Sequence, residues 1–395
     1  MRPLAVLSHV LPPSPSGQAV VLYRLLRDWD LADYRLLSRQ NYDAYACGQN
    51  SPSRLPARYY HLAAGFRLRG ASRLGVLAVV NGLLEILQRA RNVVRIVKRE
   101  KCGAILACSG DIIDLPAGYL ASRWARVPFY AYIFDYYSYQ WTRPAYRFFA
   151  RCAEPIVLKG AAGVIVPNEF LRDEYRRRYQ VEPTVIHNPC EVAQIDKEHD
   201  FPWPAEPGKV KIVFTGAIYH ANYDAFRNLI AAIEQLGRTD VKLHLYTAQP
   251  LPELERENIC GPIVYHNHRA LSKVFEVQRQ ADILFLPLAF ESAIPEVIRT
   301  SAPGKMGEYL ASGRPILVHA PADSFVSWYF KTHECGVVVD QSDPSMLVQA
   351  IQRILDDAEL RRKLRRNARS SAQIDFGLDG ARTKFLRVFQ PKGGS

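Results

Sequence analysis

Residues 301–317 read Ser-Ala-Pro-Gly-Lys-Met-Gly-Glu-Tyr-Leu-Ala-Ser-Gly-Arg-Pro-Ile-Leu, and this stretch says most about the fold of the chain. A loop of small residues leads into a short helical pattern, and an apolar strand follows at once. We expect Ser301 to cap the helix, with Pro303 near its first turn. Gly313 is expected to end the helix before Pro315 opens the strand. Helices that alternate this closely with buried strands are typical of an α/β domain.

The same stretch carries the chemistry of a nucleotide site. Gly304 allows the backbone to approach a ligand, and the free N–H groups at a helix start favour an anion. Lys305 adds a full positive charge, and Glu308, three residues on, is expected on the same helix face. A lysine for phosphates and a carboxylate for ribose hydroxyls together predict a site for a nucleotide diphosphate. The spacing alone is also compatible with a capped helix that carries an exposed ion pair.

Apolar runs and helical patterns alternate along the rest of the chain. Strands are expected at residues 4–8, 34–38, 104–108, 129–133, 163–166, 184–187, 210–215, 241–246, 263–266, 283–286, 316–319 and 336–339. Helices are expected at residues 18–29, 76–99, 115–123, 146–159, 169–179, 224–236, 271–278, 305–311, 344–356, 359–372 and 378–389. Continuous apolar strands joined by helices predict doubly wound α/β sheets.

A proline-rich segment divides this pattern into two similar halves. Residues 189–208 contain four prolines and little periodicity, which is typical of a linker. We therefore expect one domain at 1–188 and a second domain at 209–375, joined by this linker. Open α/β sheets bind ligands beyond the carboxyl ends of their strands. The predicted fold class is thus α/β, with two Rossmann-like doubly wound domains facing a cleft.

The composition favours a protein with anionic partners in a reducing compartment. The net charge is +12, which suits phosphorylated ligands, acidic lipids or nucleic acid. The seven cysteines contain no CxxC pair, against a disulfide framework or a zinc site. The residues after Met1 read as a strand rather than a signal peptide, and residues 74–84 fall short of the roughly 20 apolar residues that cross a bilayer. We expect a cytoplasmic protein.

Several motifs, in their order along the chain, resemble the donor domain of retaining GT-B glycosyltransferases of family 4. The matching pieces are Phe214-Thr215-Gly216, residues 281–287, and residues 303–315. In the first half, residues 164–168 and 186–189 resemble that family's domain-closing strand and interdomain connection. The resemblance implies transfer of a sugar from a nucleotide-diphosphate sugar, with retention, helped by the leaving diphosphate as proton acceptor. It implies no metal and no other cofactor. It also implies that 1–188 is the acceptor-side domain, that 209–375 is the nucleotide-sugar donor domain, and that a helix and tail at 376–395 cross back to the first domain.

The resemblance also implies roles for particular residues. Lys305 contacts the diphosphate and stabilises its developing charge, while Glu308 binds the ribose. The loop that begins at Gly216 approaches the phosphates. The family often has a glutamate eight positions before the ribose glutamate, but Thr300 stands there in this chain. The predicted donor-binding residues are Gly17, Gly216, Tyr219, His220, His266, Pro303, Gly304, Lys305 and Glu308.

Two segments of the first half are candidates for the acceptor side. Residues 9–17 form a loop between a strand and a helix without a GxGxxG fingerprint, which disfavours a nicotinamide cofactor. In the resembled family this loop borders donor and acceptor, so Ser16 and Gly17 are candidates, although a plain connecting loop explains them equally well. Asp135 and Tyr136 lie in an aromatic-rich run suited to sugar binding, or to ordinary packing. Asp135 and Lys305 are the predicted catalytic residues.

The histidines are less informative. His220 follows the Gly216 loop and is a candidate for contact with sugar or phosphate. His266 and His268 are two residues apart and would approach a nucleobase if they lay in a loop. A lone histidine is more often structural, and no histidine spacing indicates a metal.

Residues 54–101 raise the question of a membrane. A basic helix with an apolar face lies on anionic lipid, and we predict peripheral contact with the inner face of a membrane. A crossover helix with a solvated basic side explains the same pattern. The residues concerned are Arg54, Tyr59, Tyr60, Phe66, Arg67, Leu68, Arg69, Arg73, Leu83, Leu84, Arg89, Arg91, Arg95, Lys98, Arg99 and Lys101.

Three functions remain open from the sequence. The first is a glycosyltransferase with a nucleotide-sugar donor and a glycan, lipid-linked or small-molecule acceptor. The second is a nucleotide-sugar epimerase on the same scaffold, and the third is a non-catalytic protein that binds a membrane surface. Nucleic acid is disfavoured as a partner because no recognition helix or aromatic-basic platform is present. Lys305, Glu308 and Gly216 together favour the transferase.

Overall fold

A computed structural model describes residues 2–42, 54–63, 75–192, 203–267 and 271–390. The chain forms two compact units, which are described separately. Unit 1 consists of Met1–His187 and Ala381–Ser395, and unit 2 consists of Asn188–Gly380. Each unit is a parallel sheet with connecting helices, so the predicted α/β class with two doubly wound sheets is confirmed.

Unit 1 contains a seven-stranded parallel sheet in the order β3-β2-β1-β4-β5-β6-β7. Its strands are β1 (Leu4–Leu7), β2 (Tyr34–Ser38), β3 (Tyr59–His61), β4 (Ala104–Cys108), β5 (Phe129–Tyr132), β6 (Gly163–Val166) and β7 (Thr184–Val185). Its connecting helices are α1 (Gly17–Leu26), α2 (Gly75–Arg99), α3 (Asp114–Ala125), α4 (Pro144–Lys159) and α5 (Glu169–Tyr179). All four residues of β1 are buried, as expected of a central strand covered on both faces.

Unit 2 contains a six-stranded parallel sheet in the order β10-β9-β8-β11-β12-β13. Its strands are β8 (Val210–Thr215), β9 (Val241–Thr247), β10 (Ile263–Asn267), β11 (Ile283–Pro287), β12 (Ile316–His319) and β13 (Val337–Val339). Its helices are α6 (Tyr223–Leu236), α7 (Leu251–Arg256), α8 (Leu271–Arg279), α9 (Pro295–Thr300), α10 (Met306–Ser312), α11 (Phe325–Thr332), α12 (Pro344–Asp356) and α13 (Ala358–Asp375).

Strand order reverses direction once in each sheet, and this positions the candidate residues. In unit 1 the chain steps outward from β1 to β2 and β3, then returns to β4 on the other side of β1. In unit 2 the same reversal falls between β8 and β11. Loops that leave neighbouring strands at such a point diverge to opposite faces and leave a crevice at the carboxyl edge. The loops after β1 and β8 carry Gly17 and Gly216.

The C-terminal helix α14 (Leu378–Val388) returns the chain to unit 1. Phe385 is fully buried in the core of unit 1, with its ring centroid 5.6 Å from that of Trp29. The Arg382 guanidinium donates to the carbonyl of Arg24 at 2.9 Å. The last helix is therefore part of the N-terminal unit by packing, although it is remote in sequence.

Residues 203–208, at the end of the proline-rich segment, are held by contacts within unit 2. The carboxylate of Asp282, which is fully buried, accepts from the backbone N–H of Ala205 at 2.6 Å and of Lys211 at 2.8 Å. The Arg361 guanidinium lies 4.6 Å from the centre of the Trp203 ring. Residues 193–202 lie outside the described part of the chain.

Candidate functional site

Gly216 and Lys305 meet at the carboxyl end of β8. Gly216 follows the strand with φ +124°, a conformation that favours glycine. A Cβ atom at this position would lie 3.0 Å from Lys305 Nζ and 3.2 Å from its Cε. The ammonium also lies 3.7 Å from the centre of the Phe214 ring, within the range of a cation–π interaction. The missing side chain of Gly216 therefore makes the space that the Lys305 ammonium occupies.

The environment of Lys305 disfavours its charge. The side chain is half-buried, and desolvation lowers its pKa from 10.5 to about 7, while the negative charge of Glu308 acts in the opposite direction. Near neutral pH the ammonium and the neutral amine are then both populated in the free protein. An anion bound beside Nζ would favour the charged form, which suits a residue that receives a phosphate.

The start of helix α10 differs from the prediction. The helix begins at Met306, Lys305 holds the N-cap position, and no side chain caps it. Ser301 instead ends the preceding helix α9, with φ −67° and ψ 134°. Pro303 lies in a turn closed by the Met306 N–H donating to its carbonyl at 2.9 Å. The prediction that Ser301 caps this helix is therefore wrong, because Ser301 follows α9 and a turn separates it from α10. Lys305 has α-helical dihedral angles at the N-cap, and its carbonyl accepts from the Tyr309 N–H at 2.9 Å, so it lies about one turn before Glu308 at the start of the helix.

Gly304 lies in the same turn and is exposed. No atom stands within 4 Å of the place where its Cβ would be. The backbone is thus open to a ligand from this side, as predicted. The loop is also tied down from its N-terminal side, since the Asn188 amide donates to the carbonyl of Ala302 at 2.9 Å.

Glu308 belongs to a hydrogen-bonded cluster that the sequence analysis missed. The amide nitrogen of Gln278, at the end of α8, donates to Glu308 Oε2 at 3.3 Å and to Thr215 Oγ1 at 3.1 Å. The Tyr309 hydroxyl accepts from the Thr215 N–H at 3.0 Å. Gln278 and Tyr309 have no exposed surface. A buried amide beside the Glu308 carboxylate has no sequence signature, because the two meet only through the fold.

Thr300 is the last residue of α9 and is buried. Its side chain is 2% exposed, and its hydroxyl donates to the carbonyl of Glu296 at 3.0 Å. The position where the resembled family often has a glutamate is therefore used for packing and helix bonding in this chain.

The other predicted donor-side residues lie on the loop after Gly216 and on strand β10. Tyr219 and His220 are exposed on the loop after Gly216, where the Tyr219 N–H donates to Asn222 Oδ1 at 2.9 Å. His266 lies in strand β10, as the strand predicted at residues 263–266 implies, so the loop that an approach to a nucleobase would require is not present at this residue. Its ring stacks on Tyr246, with centroids 4.1 Å apart, and its Nε2 is 3.1 Å from His244 Nδ1. His268 lies outside the described residues.

His244 carries no charge at neutral pH. Burial, with His266 as a smaller contribution, lowers the pKa of His244 to about 4. His244 is therefore neutral near pH 7, and the close nitrogen pair is an ordinary N–H···N contact rather than two cations. The rings of His244, Tyr246 and His266 thus stack against one another across the neighbouring strands β9 and β10.

In unit 1, Ser16 and Gly17 form the start of helix α1. The Ser16 hydroxyl accepts from the Ala19 N–H at 3.3 Å and caps the helix. No atom lies within 4 Å of a Cβ placed on Gly17. The Gln18 amide donates to Ser8 Oγ at 2.6 Å, which ties the helix start to the carboxyl end of β1. The loop of residues 9–16 is thus held at the edge where ligands of such sheets bind.

Asp135 and Tyr136 point into different surroundings. Asp135 is exposed just beyond β5, at the same carboxyl edge. Tyr136 is 1% exposed, and its hydroxyl donates to Glu174 Oε1 at 3.2 Å. The expectation that Tyr136 faces an acceptor is corrected: its ring packs inside unit 1, as aromatic residues with a partner for their hydroxyl commonly do.

Arg89 is also an interior residue, contrary to the prediction for the basic helix. It is 4% exposed and donates to Glu85 at 2.7 Å, Asp111 at 2.9 Å and Asp114 at 2.5 Å. Burial, with the charge of Asp111, raises the pKa of Asp114 to about 7, while Arg89 opposes this. The predicted membrane role of Arg89 is therefore wrong, because charge alone does not tell a buried arginine from a surface one.

The outer face of α2 combines exposed apolar and basic side chains. Val79, Leu83 and Leu87 are 47%, 49% and 37% exposed. Arg91 and Arg95 continue the same four-residue spacing and are exposed too. Phe66, Arg67, Leu68, Arg69 and Arg73 lie outside the described residues. No described helix is both long and apolar enough to cross a bilayer.

Two sequence families match this chain. The family described as Glycosyl transferases group 1 matches residues 209–357, and the family described as Glycosyltransferase Family 4 matches residues 16–194. Together the two matches span most of the chain. A comparison with curated proteins gives no match.

Solved glycosyltransferase structures share the fold along the full chain. A glycosyltransferase from Rickettsia africae superposes with a TM-score of 0.70 at 14% identity, covering 100% of both chains. HepE from Anabaena, in complex with UDP-glucose, gives 0.69 at 14% identity and covers 97% of this chain and 98% of its own. WaaG, a glycosyltransferase involved in lipopolysaccharide biosynthesis, gives 0.64 at 13% identity and covers 99% and 100%.

Proposed function

Since this chain belongs to family 4 of the GT-B glycosyltransferases, we propose that it transfers a hexose from a nucleotide-diphosphate sugar to a glycan, glycolipid or small-molecule acceptor. The observation that carries the proposal is the meeting of Gly216, Lys305 and Glu308 at the carboxyl end of β8. UDP-glucose is the first donor to test, because HepE binds UDP and UDP-glucose.

In this proposal Lys305 receives the diphosphate. The gap left by Gly216 admits the ammonium to the strand end, and the exposed turn at Gly304 leaves room for phosphate oxygens. A cation fixed beside the leaving diphosphate stabilises the negative charge that builds on it as the bond to the sugar breaks. Glu308 accepts hydrogen bonds from the ribose hydroxyls.

Transfer then proceeds with retention and without a metal ion. The leaving diphosphate accepts the proton of the acceptor hydroxyl on the same face of the sugar, so no protein nucleophile is needed. Asp135, exposed beyond β5, orients the acceptor hydroxyl. Activity that survives EDTA, and a product with the donor's anomeric configuration by NMR, would support this part; loss of activity in EDTA or an inverted product would refute it.

Thermal unfolding with UDP-, GDP- and ADP-sugars tests the donor site. One of them should raise the melting temperature, since a ligand at a hundred times its Kd adds about 2.7 kcal/mol of stability. Lys305→Ala and Glu308→Ala should each remove the shift. Lys384→Ala and Glu334→Ala, which change exposed residues on α14 and after α11, should keep it. A shift that persists in the first two variants excludes the assigned site.

Nucleotide release separates transfer from epimerisation. A transferase frees its nucleotide diphosphate at a useful rate only when an acceptor is present, whereas an epimerase changes the sugar without an acceptor. Release that depends on the acceptor supports the proposal, and sugar isomerisation without one contradicts it.

We further propose that unit 1 contacts an anionic membrane surface through α2, with the protein on the cytoplasmic side. The apolar row of Val79, Leu83 and Leu87 would enter the headgroup boundary, and Arg91 and Arg95 would pair with lipid phosphates. Four-residue spacing makes each of the five a neighbour of the next, in a row that winds gradually around the exposed side of the helix. This location suits a lipid-linked acceptor.

A further inference from the structure

A fully buried glutamine lies directly behind the proposed ribose carboxylate. Gln278 has no exposed surface. Its amide nitrogen donates to Glu308 Oε2 at 3.3 Å and to Thr215 Oγ1 at 3.1 Å. One side chain thus joins the last residue of β8 to the first turn of α10. These are the elements beside Gly216 and Lys305.

The orientation of this amide is fixed by its neighbours. Both nitrogen-bound hydrogens face acceptors, so rotating the amide would bring its oxygen against the negative Glu308 carboxylate. Gln278 Oε1 is buried and has no hydrogen-bond partner among the described residues. An unsatisfied buried acceptor is unfavourable, and an apolar residue of similar length would avoid it. A buried glutamine is therefore less favourable for stability than an apolar residue at this position. Its presence is explained by the two hydrogen bonds that its nitrogen donates.

The second anchor of the amide is itself rigid. The Thr215 N–H donates to the Tyr309 hydroxyl at 3.0 Å, and Thr215 Oγ1 lies 3.4 Å from the same hydroxyl. Thr215 is 4% exposed and Tyr309 has no exposed surface. Gln278 therefore transmits the position of the strand end to the Glu308 carboxylate.

We propose that Gln278 is a positioning residue that sets how strongly the donor site distinguishes ribose from deoxyribose. It does not touch the nucleotide, but it holds the Glu308 carboxylate where the ribose hydroxyls arrive. The inference rests on the proposed function, because Glu308 is the ribose ligand there.

Lys305 gives this restraint a clear consequence. The charge of Glu308 raises the pKa of Lys305, so the two side chains attract each other. Without the Gln278 donor, one restraint against this attraction is lost, and the carboxylate is held less firmly where the ribose hydroxyls arrive. The diphosphate still contacts Lys305, because that contact does not involve the Gln278 amide. The effect on binding is thus specific to the sugar hydroxyls of the nucleotide.

Calorimetric titration of the full chain with UDP and with 2′,3′-dideoxy-UDP measures this specificity. The wild-type protein should bind UDP at least about tenfold more tightly, as a hydrogen bond to a charged group implies. In Gln278→Met the ratio should fall below about twofold, with the dideoxy nucleotide bound as in wild type. Gln280→Met, the same change at an exposed residue just after α8, should keep the wild-type ratio.

A double variant shows whether Gln278 acts through Glu308. Glu308→Gln should lose the preference for UDP, and adding Gln278→Met should change nothing more, because coupled residues are not additive. If Gln278→Met does not fold, Gln278→Leu removes the same donors with a smaller apolar side chain and should lose the preference as well.

The outcomes separate this inference from the proposed function. An unchanged ratio in Gln278→Met or Gln278→Leu, or equal weakening of both nucleotides, overturns the positioning role while the donor site stands. A wild-type protein that binds UDP, GDP and ADP no better than their dideoxy forms, or a preference that survives Glu308→Gln, overturns the ribose assignment and this inference with it.

Discussion

Lys305 is a cation that the folded protein holds in an unfavourable place. Its ammonium lies over the Phe214 ring and against Gly216, and desolvation lowers its pKa to about 7. Stability is reduced wherever the side chain must be buried in its charged form. A bound anion beside the ammonium would offset this cost, and the diphosphate of a nucleotide sugar is the anion that we propose.

The depressed pKa of Lys305 predicts a pH-dependent gain in stability for Lys305→Met. The folded pKa is about 7 and the ordinary value 10.5, so the penalty is full below pH 7 and fades as pH rises towards 10.5. We expect the variant to be more stable than wild type by about 1–3 kcal/mol at pH 6, with the difference vanishing near pH 10. Urea unfolding at several pH values measures this.

Lys384→Met is the matched control, because Lys384 is exposed on α14. Its effect on stability should be small at every pH. A Lys305→Met variant that is less stable than wild type at pH 6 would show that the ammonium is not penalised by burial.

Gly216→Ala should remove donor binding while the fold persists. The backbone at φ +124° strains any side chain, and the new Cβ would press on Lys305 Nζ at 3.0 Å. We expect a loss of about 1–3 kcal/mol in stability and no melting shift with the donor. Gly82→Ala, with open space around its Cβ on α2, should leave donor binding unchanged. A normal donor shift in Gly216→Ala would contradict the close contact.

Candidate residues could be named from the sequence where a motif contains them, and not where burial decides the contacts of a side chain. Lys305, Glu308 and Gly216 stand in a motif whose chemistry follows from residue type and order. Gln278 has no such motif, since it reaches Glu308 only after α8 packs beside β8. Tyr136 and Arg89 look like ligand residues in the sequence, but each has an interior partner that only the fold supplies.

At the scale of elements, central strands were the easiest to predict. The bounds of β2, β4, β6, β8 and β12 agree residue for residue with the expected ones, because strands buried on both faces are continuous apolar runs between polar loops. Edge strand β3 has three residues, half-buried or exposed, and no such run. Helix α11 was missed because its Phe-Val-Ser-Trp-Tyr-Phe sequence has strand-like residues throughout.

The turn before α10 shows where local signals conflict. Ser301 and Pro303 suit a helix start, but α9 ends at Thr300 and the chain needs five residues before the next helix begins. Lys305 therefore lies outside the helix that was expected to contain it. From this helix start the Lys305 ammonium lies beside the end of β8.

The cap of α1 provides an element-scale prediction. Ser16→Ala removes the hydroxyl that accepts from the Ala19 N–H, and should lower stability by about 0.5–2 kcal/mol. Ser16→Asp keeps a capping oxygen and should restore it. Chemical denaturation of the three proteins measures the differences. Equal stability of Ser16→Ala and wild type would show that the cap contributes nothing.

At the scale of the whole molecule, the two sheets share one strand order, because strands and helices alternate in the same way in both halves of the sequence. The C-terminal helix then returns to unit 1. The strand orders 3-2-1-4-5-6 recur in both units, and short right-handed connections leave few alternatives for such a sequence. The excess of 12 positive charges is a property of the whole chain. The positions of these charges decide their role. Arg91 and Arg95 are exposed on α2, whereas Arg89 is buried in an interior network of ion pairs.

Flotation with vesicles of phosphatidylglycerol and phosphatidylcholine tests the α2 surface. Wild type should float, and Arg91→Glu with Arg95→Glu should weaken flotation at least several-fold, since each basic residue near the surface contributes about 1 kcal/mol. Arg362→Glu with Arg366→Glu, a charge change of equal size on α13, is the control. Full flotation of the α2 variant would locate the membrane contact elsewhere.

A crystal structure with bound UDP-glucose tests the central claim most directly. The account predicts a diphosphate oxygen within about 3 Å of Lys305 Nζ, and ribose hydroxyls within hydrogen-bond distance of the Glu308 carboxylate. A sugar nucleotide seated away from the carboxyl end of β8, with neither side chain in contact, would contradict it.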